Sequence, residues 1–127
     1  MGLFDLFGKT DDLNSVFVWH EVTSEPDVEQ IISDSAARPQ ILFKNSTRCG
    51  ISRMARTRLE KLSADEQKGL DFHILDVIAS RPVSLFVAKR FGISHESPQI
   101  FVIKNGEVIW SASHGGVTKS NVLQALK

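Results

Sequence analysis

The segment Pro98-Gln99-Ile100-Phe101-Val102-Ile103-Lys104-Asn105-Gly106-Glu107-Val108-Ile109-Trp110 decides the fold. Two apolar runs flank an Asn-Gly pair, the dipeptide that most readily takes the two left-handed positions of a tight hairpin turn. The segment therefore predicts antiparallel strands at 98–104 and 107–110. Everything upstream has a different rhythm, in which short apolar runs alternate with longer stretches of helical spacing.

Working outward, Phe17-Val-Trp-His-Glu-Val22 reads as a first strand, and Thr23-Ser-Glu-Pro26 supplies an N-cap and an early proline for a helix carrying Val28, Ile31 and Ile32. Pro39 opens a short apolar strand at 40–44. It leads through Asn45-Ser-Thr-Arg-Cys49 into a helix whose apolar positions Ile51, Met54, Ala55, Leu59 and Leu62 recur at three- and four-residue steps, with Arg53, Arg56, Glu60 and Lys61 on the other side. A strand at 70–76 and a helix running from Arg81-Pro82 to the stop at Gly92 follow. After the hairpin, Val117, Val122, Leu123 and Leu126 mark a closing helix. Trp19 and Trp110 are expected in the core or at its edge.

The resulting order is β-α-β-α-β-α-β-β-α. Right-handed crossovers make the early strands parallel and the Asn-Gly turn makes the last pair antiparallel, so the expectation is an α/β fold with a central mixed sheet flanked by helices. Among common folds this is the order of thioredoxin. Residues 1–14 hold an apolar patch (Leu3, Phe4, Leu6, Phe7) and a polar stretch without period, and are expected to be a flexible arm before a domain at 15–127.

Composition narrows the function. The chain has 127 residues, enough for one core, and its 15 Lys plus Arg balance 15 Asp plus Glu, so no global charge draws it to nucleic acid. One cysteine makes an internal disulfide and a cysteine-based zinc site impossible. The apolar start is too short to span a bilayer and lacks the basic region and cleavage site of a signal peptide. The expectation is a cytoplasmic protein with no membrane span.

The candidate chemistry centres on Cys49. At a strand-to-helix junction, free amides and the positive helix end favour thiolate over thiol, and Arg48 and Arg53 add positive charge, so the thiol pKa is expected below the free value of about 8.5. Ser52, three residues on, stands where a dithiol oxidoreductase carries its second cysteine. A hydroxyl can stabilise a thiolate but cannot resolve a disulfide. Any mixed disulfide on Cys49 must then be released by an outside thiol.

The antiparallel fourth strand brings Ser97-Pro98 to the same end of the sheet as Cys49; a cis proline there would expose backbone for an extended substrate, and a trans proline at a strand start is the equal alternative. The next strand returns Ser111-Ala-Ser-His-Gly-Gly116 to that end. Gly115 and Gly116 permit close approach of a ligand, and the amides of the following helix could hold a carboxylate. Arg48, Arg53, Arg56 and Arg58 around the thiol would suit an anionic small thiol. His20, His73 and His95 have no metal-ligand spacing and receive no chemistry.

The run Phe43-Lys-Asn-Ser-Thr-Arg-Cys-Gly-Ile-Ser52, with Ser97-Pro-Gln-Ile-Phe101 and Ala112-Ser-His-Gly-Gly-Val-Thr118, resembles the YtxJ-like monothiol bacilliredoxins over about residues 17–127. The resemblance implies a thioredoxin-like cytosolic protein that removes bacillithiol from mixed disulfides on other proteins. It implies Cys49 and Ser52 as catalytic residues and Arg48, Gly50, Ile51, Ser97, Pro98, His114, Gly115 and Gly116 as the substrate cradle. It also implies no tightly bound cofactor, a small thiol as co-substrate and S-thiolated proteins as partners. Arg48 and Gly50 stand where the usual motif has Thr and Pro. Gly50 brings the site closer to the Cys-Gly-Phe-Ser of monothiol glutaredoxins, so an iron–sulfur carrier is one alternative and a non-catalytic thioredoxin-like binding module another.

Overall fold

The computed structural model describes residues 17–127, so the arm expected at 1–14 lies outside the described residues. The strands are β1 (His20–Glu21), β2 (Gln40–Asn45), β3 (Asp71–Asp76), β4 (Gln99–Lys104) and β5 (Glu107–Ser113). They form one sheet in the order β1-β3-β2-β4-β5. β3 lies parallel to both β1 and β2, β4 is antiparallel to β2, and β5 is antiparallel to β4. The helices are α1 (Glu25–Asp34), α2 (Gly50–Leu59), α3 (Ala64–Gln67), α4 (Arg81–Phe91) and α5 (Lys119–Ala125), with a 3-10 turn at His114–Gly116.

Local chemistry accounts for most boundaries. Asn105 (φ 54°) and Gly106 (φ 81°) both take the left-handed conformation that joins β4 to β5. Ser24 caps α1 by accepting from the Asp27 amide, and the Asp27 carboxylate accepts from the Thr23 amide at 2.9 Å, which holds its pKa below the usual value. Gly92 (φ 67°) ends α4 in the left-handed region that glycine enters without steric cost. α3 lies in a stretch where no element is expected. Its signal is present all the same, since Ser63 and Glu66 form a reciprocal capping box.

Alternating residues of the central strands build two cores. Ile41, Phe43, Ile100 and Val102 face Ala55 and Leu59 of α2 and Val122 of α5. Leu42, Phe101 and Ile103 face Val28 and Ile31 of α1 and Val83 and Val87 of α4. Each Val, Leu, Ile or Phe among them contributes about 1.5–3 kcal/mol by leaving water.

Two expectations need correction. The first strand is two residues long rather than six; Phe17 and Trp19 leave the ladder and pack on Phe72 and Phe43 instead. On α2 the buried stripe is Ser52, Ala55 and Leu59, continued by Leu62, while Ile51 (56%) and Met54 (53%) are exposed. At its start the helix presents the small residues Ser52 and Ala55, and further along Leu59 and Leu62, to the space that β2 and β4 fill with Phe43, Ile100 and Val102.

Candidate functional site

The carboxyl end of β2 delivers the turn Asn45–Cys49. Register places Lys44 opposite Gln99, and Gln99 opposite Ser113, so Cys49, Pro98 and His114 all emerge at one end of the sheet. The Cys49 amide donates to the Ser46 carbonyl at 3.1 Å, and the Cys49 carbonyl accepts from the Arg53 amide at 3.1 Å, closing the first turn of α2. Cys49 is thus the N-cap, with extended backbone (φ −109°, ψ 121°), and its side chain is part-exposed.

An N-cap side chain faces the amides two and three residues on, and although the Cys49 thiol makes no capping hydrogen bond of standard geometry, a thiolate there lies in their field. Those amides hold the Cys49 thiol below its ordinary pKa: Ser52 N–H contributes most, Ile51 N–H next, partial burial opposes them, and the Ser52 hydroxyl adds the least. The arginines expected to share this task are not among the causes. Ser52 itself is fully buried, and its Oγ makes no hydrogen bond of standard geometry among the described residues. Its backbone therefore acts on the thiolate more than its hydroxyl does. Arg48, Gly50 and Ile51 are exposed beside the thiol.

The Ser97-Pro98 peptide is cis. The Pro98 carbonyl accepts from the His114 amide at 2.9 Å, and His114 Nε2 donates to Glu96 Oε1 at 2.9 Å, so the two segments expected to cradle a substrate are joined to each other. The 3-10 turn packs against α2 and brings Gly115 and Gly116 to the same helix as Cys49. The backbone freedom lies elsewhere than expected. The left-handed residue is His114 (φ 53°), whereas a Cβ on Gly115 would meet nothing within 4 Å and one on Gly116 would meet Ala112 Cβ at 3.2 Å. A non-glycine residue held at positive φ beside a functional site is a form of local strain.

The last helix begins further from Gly116 than the expected carboxylate site supposes. The 3-10 turn and Thr118 separate Gly116 from α5, and Thr118 Oγ1 already accepts from the Asn121 amide at 3.1 Å. A small cavity of about 200 Å³ opens beside the active-site turn, lined by Asn45, Ser46, Thr47, Arg53 and Arg56. Two of the expected arginines are there, while Asn45, whose buried Oδ1 is unpartnered among the described residues, was missed. Glu96 was missed as well, because nothing local to it announces a partner 18 residues away. No cluster of three or more potential metal ligands exists among the described residues, and none of their helices is long and apolar enough to cross a membrane.

Comparison with known proteins agrees with this geometry. The family described as monothiol bacilliredoxin BrxC matches residues 20–122. The chain is similar to a solved structure described as a candidate oxidoreductase with a thioredoxin fold, at 31% identity and a TM-score of 0.78, covering 87% of this chain and 95% of that one. Thioredoxin from Fasciola hepatica (19% identity, TM-score 0.67, coverage 84% and 95%) and thioredoxin f from spinach chloroplasts (22%, 0.66, 87% and 92%) share the fold. The architecture is thioredoxin-like, as the element order predicts.

Proposed function

The chain belongs to the monothiol bacilliredoxin family, and from that membership and the geometry at Cys49 we propose that it removes a small thiol, bacillithiol in the first instance, from mixed disulfides on cytoplasmic proteins. The observation that carries the reading is a lone cysteine at the N-cap of α2 with its thiol pKa lowered by first-turn amides. The Cys49 thiolate attacks the small-thiol sulfur of the mixed disulfide. That S–S bond breaks, the target protein leaves as a thiolate that takes a proton from solvent, and Cys49 keeps the small thiol as a new disulfide.

The chain has no second cysteine to resolve this species. A second small-thiol anion therefore attacks the bound small-thiol sulfur, forming the small-thiol disulfide and restoring the Cys49 thiolate. Electrons balance at each step, because one S–S bond is exchanged for another. The cavity at Arg53 and Arg56 supports an anionic small thiol, since guanidinium groups pair well with carboxylates. Ser97, Pro98, His114, Gly115 and Gly116 would hold the peptide around the target disulfide.

Single-turnover release of the small thiol from a purified mixed disulfide tests the reading. Cys49→Ser should abolish release, because a serine hydroxyl near neutral pH has almost no alkoxide and forms no disulfide. Full activity in that variant would overturn it.

A further inference from the structure

Lys44 is fully buried, and no carboxylate among the described residues lies within ion-pair distance of it. An ammonium so placed is costly, and an apolar side chain of the same length would fill the space without that cost. Its contacts are specific. Nζ donates to the Ser84 carbonyl on α4 at 2.9 Å and lies 3.1 Å from His95 Nδ1 and 5.7 Å from the centre of the Phe101 ring. A protonated amine has only donors, so Nδ1 is the acceptor and the His95 proton sits on Nε2. Burial, then Lys44 and Arg81, hold the His95 pKa below its ordinary value, which agrees with a neutral ring.

His95 belongs to the irregular segment that ends in Ser97-Pro98. Gln99, directly opposite Lys44 in the sheet and also buried, grips the same segment: its Nε2 donates to the Ser94 carbonyl at 2.9 Å and its Oε1 accepts from the Glu96 amide at 3.3 Å. A cross-strand pair of buried polar side chains is thus spent on holding one loop. On its far side the same loop is tied to the 3-10 turn through Glu96–His114 and Pro98–His114.

We propose that Lys44 is a positioning residue for the mixed-disulfide substrate: through His95 it fixes the Ser97-Pro98 peptide at the Cys49 end of the sheet, without acting on the thiol. The proposal rests on the functional reading above. Lys44 is not among the groups that set the Cys49 pKa, so substrate binding and thiol reactivity should separate.

The test uses the full chain with Lys44→Met, His95→Leu and His95→Asn, whose Oδ1 can stand in for Nδ1 as acceptor. Lys44→Met and His95→Leu should raise the half-saturating concentration of a mixed-disulfide protein by about tenfold, the effect of losing one charge-assisted hydrogen bond, while the saturating rate stays within about twofold. His95→Asn should restore most of the loss. The rate of Cys49 alkylation by iodoacetamide, and its pH midpoint, should stay at wild-type values in all three. An unchanged half-saturation in Lys44→Met, or a shifted alkylation midpoint, overturns the proposal.

Amide exchange at Glu96 and His114 reads the loop without substrate and should speed by about tenfold in Lys44→Met. Unchanged exchange overturns the proposal even where wild type releases no thiol, whereas absent release with faster exchange overturns only the functional reading.

Discussion

Replacing Lys44 by methionine should make the protein more stable at neutral pH, and the size of the gain follows from the site. Burial lowers the Lys44 pKa from 10.5 to about 8, a depression that corresponds to about 3 kcal/mol of disfavour for the charged amine in the folded state. The folded chain therefore binds fewer protons at this group than the unfolded chain does between about pH 8 and 10.5. The corresponding stability is fully present above the unfolded value, falls as pH drops, and is lost below the folded value.

Methionine fills a similar volume with no charge. The Ser84 carbonyl stays within α4, and the Ser84 hydroxyl, 3.2 Å from His95 Nδ1, leaves that nitrogen a neutral donor that holds the loop more weakly than the charged amine does. Losing the amine's hydrogen bonds offsets part of the gain, by about 1 kcal/mol, which leaves a net stabilisation of about 1–3 kcal/mol at pH 7.

Urea unfolding at intervals from pH 7 to 10.5 measures it. The advantage of Lys44→Met should shrink by about 3 kcal/mol across that range, with the slope against urea unchanged. The chain has no tyrosine to titrate in this window, and Cys49 contributes equally to both proteins. A variant less stable than wild type at pH 7, or a difference that stays constant to pH 10.5, refutes the argument from burial.

Other expectations concern the turn at Cys49. Gly50→Pro should stabilise the fold by about 0.4–1 kcal/mol in thermal unfolding: position 50 opens α2, an added Cβ meets nothing within 4 Å, and the extended backbone of Cys49 suits a residue before proline. Ser52→Ala should raise the Cys49 pKa, read from alkylation rate against pH, yet leave it below the ordinary thiol value, because the Ser52 and Ile51 amides that dominate the shift remain. Ser52→Cys should add a resolving thiol, so that mild oxidation removes both free thiols from a thiol titration and the variant releases its bound small thiol without an outside one.

The parts of this protein legible in its sequence are those whose causes lie within about four residues. Asn105-Gly106 forces its turn wherever it stands; Ser24 and Gly92 bound their helices through their own backbone; and Cys49 at a strand-to-helix junction gains first-turn amides by position alone. What the tertiary structure decided is which side of an element meets what. Along α2 the apolar spacing is shared among Ile51, Met54, Ala55 and Leu59, and only the bulk of Phe43, Ile100 and Val102 beneath it selects Ser52, Ala55 and Leu59 for burial.

Lys44 shows the limit most clearly. Lys44 ends an apolar strand with nothing beside it in the sequence to mark it as buried, and His95 is one histidine without ligand spacing. Their meeting 51 residues apart requires α4 and the segment before Pro98 to close over β2. A polar group's environment is set by chain that folds over it from far away, and no local pattern in the sequence encodes that closure.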